Sequence, residues 1–295
     1  MVSVLIRVQR YAHFVFIFLF HTIFLNIFSY QSASPKHSLP LQPKIIATLS
    51  QNSSLIYGHH PVADALRNGN PIDKVYVQQG TRGELEREMR LLCRERDVPM
   101  MFVPKEKLDR WVQSSRHQGV IAVAALLPYY KLADVLATVY ERQEMPLILL
   151  LDGITDVRNF GAIARSAVCA GVQALVIPEK GSALINEEAM KASAGALSNI
   201  PVCRETSIFN AVEQLQLNGF QVFAGDLSAK KYVFELDLDV PTAFIIGAEG
   251  EGVSPTLLRK SDERFKIPQT NGTDSFNVSV ATGIMLYEVT RQRMK

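Results

Sequence analysis

Histidine is scarce in this 295-residue chain and absent after His117; the six stand at His13, His21, His37, His59, His60 and His117. The remaining stretch therefore cannot build a Ser-His-Asp triad or a histidine metal cage of its own. Cysteine is almost as rare. Cys93, Cys169 and Cys203 are odd in number and widely spaced, which argues against a disulfide scaffold and a thiolate zinc site. No Gly-Lys-Ser/Thr phosphate cradle and no Gly-x-Gly-x-x-Gly turn occur. Acidic residues are missing from residues 1–50, where Arg7, Arg10, Lys36 and Lys44 are the only charges. Setting these four aside leaves 27 basic against 29 acidic residues, a net −2, for residues 51–295. A polyanionic partner would have to be met by a local patch, because the global field is not cationic.

What is present is enough apolar material (47%) for a true core, and a length that suits about two domains. The first 50 residues stand apart. Arg7 and Arg10 precede an apolar run from Phe14 to Phe28, broken by His21, Thr22 and Asn26, and Ser32-Ala33-Ser34 follows. That order is the pattern of an export signal, and the run is short and interrupted for a spanning helix. An upstream extension and an organelle-targeting leader fit the same residues. Contact with a membrane is expected only if this leader is real, and the three unpaired cysteines favour the cytoplasm.

From Leu55 the texture is globular. A short helix over Val62–Arg67 precedes a strand at Lys74–Val77. A charged helix over 82–96, with Leu85, Met89 and Leu92 inward, precedes strands at Met101–Val103 and Val120–Ala124. This reads as a small α/β domain over 53–127, followed by a linker over 128–145 with one short helix. The second domain, 146–295, opens on Leu147–Leu151, a continuous apolar run expected of a parallel strand covered on both faces. Further strands are expected at Ala174–Ile177, Gln221–Ala224 and Ala243–Ile246, with helices near 160–170, 187–197 and 207–218. The alternation predicts a parallel sheet with helices on its faces, and ligands beyond the strands' carboxyl ends.

Three polar clusters fall at such ends. The first runs from Asp152 to Ala167 and holds Asn159, Gly161 and Arg165; Phe160, Ile163, Ala164, Ala167 and Val168 form one buried helical stripe. Asn159 stands where its amide caps the helix or holds a loop. The second, Gly247-Ala248-Glu249-Gly250-Glu251-Gly252, is a loop through which backbone can approach a ligand closely. Its two glutamates suit a neutral or cationic ligand and repel phosphate. The third, Lys266 to Ala281, meets a terminal helix running to about Arg293, with Asp274 or Ser275 as its expected N-cap.

Together these clusters resemble the signature motifs of the SpoU/TrmH family of RNA ribose 2′-O-methyltransferases, in the SPOUT superfamily. The residues are Asn159, Gly161 and Arg165; then Gly247, Glu249, Gly250 and Gly252; then Ile267, Pro268, Ser275, Asn277, Val278, Ser279 and Ala281. Tyr57-Gly58-x-His60-Pro61-Val62 looks like the start of that family's ribosomal-protein-like RNA-binding domain. Phe276 stands where leucine is commoner, and residues 1–50 have no counterpart. The resemblance implies an α/β trefoil knot that binds S-adenosyl-L-methionine against Gly247, Ile267 and Phe276, with no metal. It implies a homodimer whose knot helices form the interface, acting on structured RNA, most closely a guanosine of 23S rRNA, with tRNA the alternative. Asn159, Arg165, Glu249, Ser275 and Asn277 are the expected catalytic group. An arginine is a poor base, so Arg165 is expected to clamp a phosphate while the phosphate or Glu249 takes the proton; the arginine itself as base stays open. A non-catalytic RNA-binding or ribosome-assembly factor on the same scaffold is the rival reading. Tyr76, Trp111 and the arginines of 82–96 are available to RNA, although those arginines alternate with glutamates as on an ordinary solvated helix.

Overall fold

The computed structural model describes residues 55–112, 115–270 and 275–294. The leader and Asp274 lie outside the described residues. Among the described residues, no helix is long and apolar enough to cross a membrane.

The first unit folds as β1 (Leu55–Tyr57), α1 (His59–Arg67), β2 (Ile72–Gln78), α2 (Glu84–Glu95), β3 (Met100–Val103), α3 (Lys105–Val112) and β4 (Val120–Ala124). Its sheet has the order β1-β4-β2-β3, with β4 antiparallel to both neighbours and β3 parallel to β2. Strand alternation sends Val75 and Val77 to the face covered by α1 and α2, where Met89 and Leu92 are buried as their spacing predicts. Among the described residues, the opposite face is packed through Leu108 of α3, against Val103 and Ile121. That helix was not expected: Leu108 is its only buried residue, and its apolar stripe of Leu108, Trp111 and Val112 spans little more than one turn.

The second unit continues with α4 (Leu132–Glu141), β5 (Leu147–Asp152), α5 (Val157–Cys169), β6 (Ala174–Pro178), α6 (Glu187–Ala192) and β7 (Val202–Glu205). Then come α7 (Ile208–Leu217), β8 (Gln221–Gly225), β9 (Lys231–Tyr232), β10 (Thr242–Gly247), α8 (Pro255–Lys260), β11 (Glu263–Lys266) and α9 (Val278–Arg293). Seven strands, all parallel, lie in the order β7-β6-β5-β10-β8-β11-β9. The apolar run of β5 is uninterrupted because both its faces are buried. Leu147, Leu149 and Leu151 pack under α5 and α9, whereas Ile148 and Leu150 pack under α4 and α7. Each such side chain contributes about 1.5–3 kcal/mol on burial. The helix expected near 187–197 breaks after Ala192, where Ala194 and Gly195 turn left-handed (φ 49° and 82°). The expected linker helix, α4, packs its Leu132, Val135, Leu136 and Val139 into the second core.

Two devices lock this frame. Arg204 of β7 crosses to the first unit and donates to the carbonyls of Asp73 (2.7 Å) and Asp97 (2.9 Å), with its guanidinium 4.0 Å over the Tyr129 ring. Tyr129 in turn donates to Asp73 Oδ1 at 2.7 Å. At the other end, Arg293 donates to the carbonyls of Met145, Pro146, Leu238 and Val240, and burial lowers its pKa to about 10. After Gly247 the chain leaves the sheet at its centre, β10, and places α8 on one face. It then adds β11 beyond β8 and returns as α9 against α5 on the opposite face. This course is consistent with a trefoil knot.

Candidate active site

Parallel strands deliver β8, β10 and β11 to one edge of the sheet, where their carboxyl ends surround a cavity of about 380 Å³. Gly247 ends β10 inside it. A Cβ there would lie 2.0 Å from the Gly252 carbonyl carbon and 2.1 Å from the Val253 nitrogen, so only glycine lets the loop fold back over the strand. Gly250 and Gly252 carry positive φ (84° and 71°), the conformation glycine adopts without strain. Asp152, at the end of β5, pins the loop by accepting from the Ser254 amide at 2.8 Å. Ser254 itself is the N-cap residue of α8, with Pro255 at the first position.

Of the expected cofactor residues, Gly247, Ile267 and Phe276 all line this cavity, as do Glu249 and Ser275. Asn159, Arg165 and Asn277 do not line it. Two of them are tied to its rim. Asn277 Nδ2 donates to Asn159 Oδ1 (3.0 Å), and Asn159 Nδ2 donates to Glu249 Oε2 (3.3 Å). One hydrogen-bonded chain therefore joins residues from all three sequence clusters. Arg165 projects from α5 two turns beyond Asn159, about 9 Å along the axis. It is exposed and has no ion-pair partner among the described residues.

Of the two expected roles for Asn159, capping the helix or holding a loop, the structure shows the second. Asp156, not Asn159, caps α5, accepting from the Arg158 and Asn159 amides at 2.8 and 2.9 Å. The Asn159 amide and that of Arg158 hold the Asp156 carboxyl below the ordinary carboxylate range. This cap leaves the Asn159 side chain free to hold the loop. Likewise Asn277, not Ser275, caps α9, accepting from the Ser279 amide (3.0 Å) and hydroxyl (2.6 Å). Gly161 serves packing: a Cβ would strike Ala192 Cβ at 2.6 Å, and its absence lets α5 lie against α6.

Two residues went unread in the sequence, Asp152 and Asp226. Asp226 follows β8 and lines the cavity; burial raises its pKa, but hydrogen bonds from Ser228 and the Arg264 guanidinium prevail and hold it low. The signal for both was the same: the first acid after an apolar strand run. Asp226, Glu249 and Glu251 outnumber Lys266 in the lining, an acidic excess that suits a cation. Among the described residues no cluster of histidine, cysteine and acids suits a metal ion.

A glycine-strapped cavity at the strand ends of a parallel α/β frame, with a C-terminal segment returning across the sheet, sets the architecture, and likeness to known families makes the class that of the RNA methyltransferases. The model of the SpoU rRNA Methylase family matches residues 146–287, and that for RNA 2′-O ribose methyltransferase substrate binding matches residues 55–130. A TrmH family tRNA/rRNA methyltransferase assignment is carried by a Staphylococcus aureus (strain MSSA476) protein that is 34% identical over 240 residues, 81% of this chain and 96% of that one. The chain belongs to the SpoU/TrmH family. Its fold is that of the SpoU methyltransferase AviRb from Streptomyces viridochromogenes (TM-score 0.52, 23% identity, covering 81% of this chain and 89% of that one). It is equally that of an AdoMet-bound rRNA methyltransferase from Sinorhizobium meliloti (TM-score 0.52, 24% identity, 82% and 88%).

The family's cofactor is S-adenosylmethionine. This cavity fits it on two counts: its volume falls within the ~300–1,000 Å³ of small-molecule sites, and the acids in its lining complement a positive sulfur.

Proposed function

We propose that this chain methylates a ribose 2′-hydroxyl in structured RNA, a guanosine of large-subunit (23S) rRNA being the favoured target and tRNA the alternative. The observation that carries the reading is the hydrogen-bonded chain Asn277–Asn159–Glu249 at the rim of the glycine-strapped cavity. When bound, S-adenosylmethionine supplies a methyl group on a positively charged sulfur. Gly247, Ile267 and Phe276 would hold it. Asn159 and Asn277 orient the Glu249 carboxylate, which is exposed and placed to accept the proton that the ribose hydroxyl loses. Arg165, exposed and unpaired, takes a backbone phosphate and fixes the sugar's position. Ser275 adds a hydroxyl to the wall.

The chain is proposed to work as a homodimer through α9. Val280 and Tyr287 stand exposed on that helix at 50% and 69%, one stripe with the half-buried Ile284 between them. Its place of work is the cytoplasm, or the organelle to which residues 1–50 would direct it. Mapping 2′-O-methyl groups in rRNA and tRNA with and without the gene tests the assignment: one methylated guanosine lost from large-subunit rRNA is expected, and an unchanged map in both RNAs refutes it. Arg165→Ala should abolish transfer while leaving cofactor affinity unchanged by calorimetry. Equal loss of both would remove Arg165 from its role.

A further inference from the structure

We propose that the half-covered sheet face of the first unit is a base-stacking platform for single-stranded RNA, centred on Trp111 and Tyr76; the proposal rests on the RNA-methyltransferase reading above. One face of that sheet is sealed by α1 and α2, but among the described residues the other is packed through Leu108 of the eight-residue α3. Cross-strand register lines Tyr57, Ile121 and Tyr76 in one row. Alternation puts Tyr57 and Tyr76 on the face of α3, because Leu55, Ile121 and Tyr76 all belong to its cluster. Tyr57 is 42% exposed on the edge strand, and Tyr76 is half-buried two strands away, about 10 Å.

Trp111, the chain's single tryptophan, stands edge-on to Tyr76 with centroids 4.7 Å apart and is 37% exposed. Lys107 holds its ammonium 5.2 Å from the Trp111 ring and 5.9 Å from Tyr76. That lysine forms no ion pair with an acid among the described residues. Rings that share a face with a free ammonium are complementary to a nucleotide: the π surface takes the base and the ammonium takes the phosphate. An acidic or apolar partner would use only one half of this pairing.

The arginines of α2 do not compete for the role. Arg90 pairs with Glu86 at 2.7 Å and lies over Phe102 on the other face, and Arg96 donates to the Arg67 carbonyl. Arg90 and Arg96 are thus engaged within the unit, and α2 packs on the face of the sheet opposite these rings.

Trp111 is its own reporter. Full-length protein is titrated with a ten-nucleotide single-stranded A/U RNA and with a large-subunit rRNA transcript, reading tryptophan emission alongside filter binding. Saturable quenching with the same midpoint as binding is expected. Trp111→Ala should weaken RNA binding about 5- to 150-fold, Trp111→Phe should recover most of it, and Lys107→Glu should flatten the salt dependence by about one ion. Tyr57→Ala, on an exposed edge, serves if Trp111→Ala fails to fold. RNA binding by wild type with unmoved emission, or unweakened binding by a folded Trp111→Ala (by Tyr57→Ala if that variant fails to fold), overturns the platform while the functional reading stands. No RNA binding by wild type, with S-adenosylmethionine still bound, overturns the functional reading itself.

Discussion

Gly247→Ala adds one methyl group at the point where the glycine loop crosses β10. That carbon would begin 2.0 Å from Gly252 carbonyl carbon, 2.1 Å from Val253 nitrogen and 2.2 Å from Gly252 oxygen. All three are backbone atoms, so no rotamer change relieves the clash. The loop must retreat by about 1.4 Å to reach an ordinary 3.4 Å contact. Its anchors resist: the Asp152–Ser254 hydrogen bond and the Gly252 amide, which donates to the Ala248 carbonyl at 2.8 Å. Overpacking of this kind costs about 1–3 kcal/mol, and Gly247 to Val253 all line the cavity. If the loop yields, the loss falls on ligand binding, about 5- to 150-fold in Kd at 1.4 kcal/mol per decade. Calorimetric titration with S-adenosylmethionine reads it, with circular dichroism confirming the fold. Undiminished affinity in a folded Gly247→Ala protein would refute the claim that this strap shapes the cofactor site.

Three further outcomes are expected. Asn277→Asp keeps the acceptor that caps α9 but loses the donor to Asn159, so it should hold its unfolding midpoint while turnover falls at least tenfold. Asn277→Ala should lose both, with about 1 kcal/mol from the missing cap, and equal turnover of the two proteins with wild type would break the relay. Arg204→Met orphans the carbonyls of Asp73 and Asp97 and should cost about 1–3 kcal/mol of docking between the units for each; small-angle scattering should show a wider, more variable particle, and an unaltered profile would contradict the latch. Burial pushes Cys93 up to about 12, and burial with the Glu205 and Asp134 charges pushes Cys203 higher still, whereas Cys169 is exposed. Because a raised pKa leaves the thiol protonated, a disulfide reagent at pH 8 should find one fast thiol in the native protein and three after denaturation; two or more fast thiols would contradict the burial.

Legibility followed burial. Strands β5, β6, β8 and β10 were readable because both faces are covered, which forces unbroken apolar runs. The edge strand β7 reads Val-Cys-Arg-Glu and escaped notice, since its Arg204 serves the neighbouring unit and not the sheet. The three polar clusters were readable as motifs, yet their internal division of labour was not. Which of Asp156 and Asn159 would cap α5 depends on a one-turn difference in where the helix begins. Asn159's true partners lie 90 and 118 residues away, beyond the reach of any local pattern. Asp226 was missed for a similar reason: its importance comes from the strand beside it.

Arg293 has a consequence for how such a chain assembles. Its four carbonyl acceptors belong to the entrances of β5 and β10, segments laid down long before the final helix is made. The guanidinium therefore bolts the last turn of α9 to the entrances of two central strands, a fastening that can form only once the whole chain has been made.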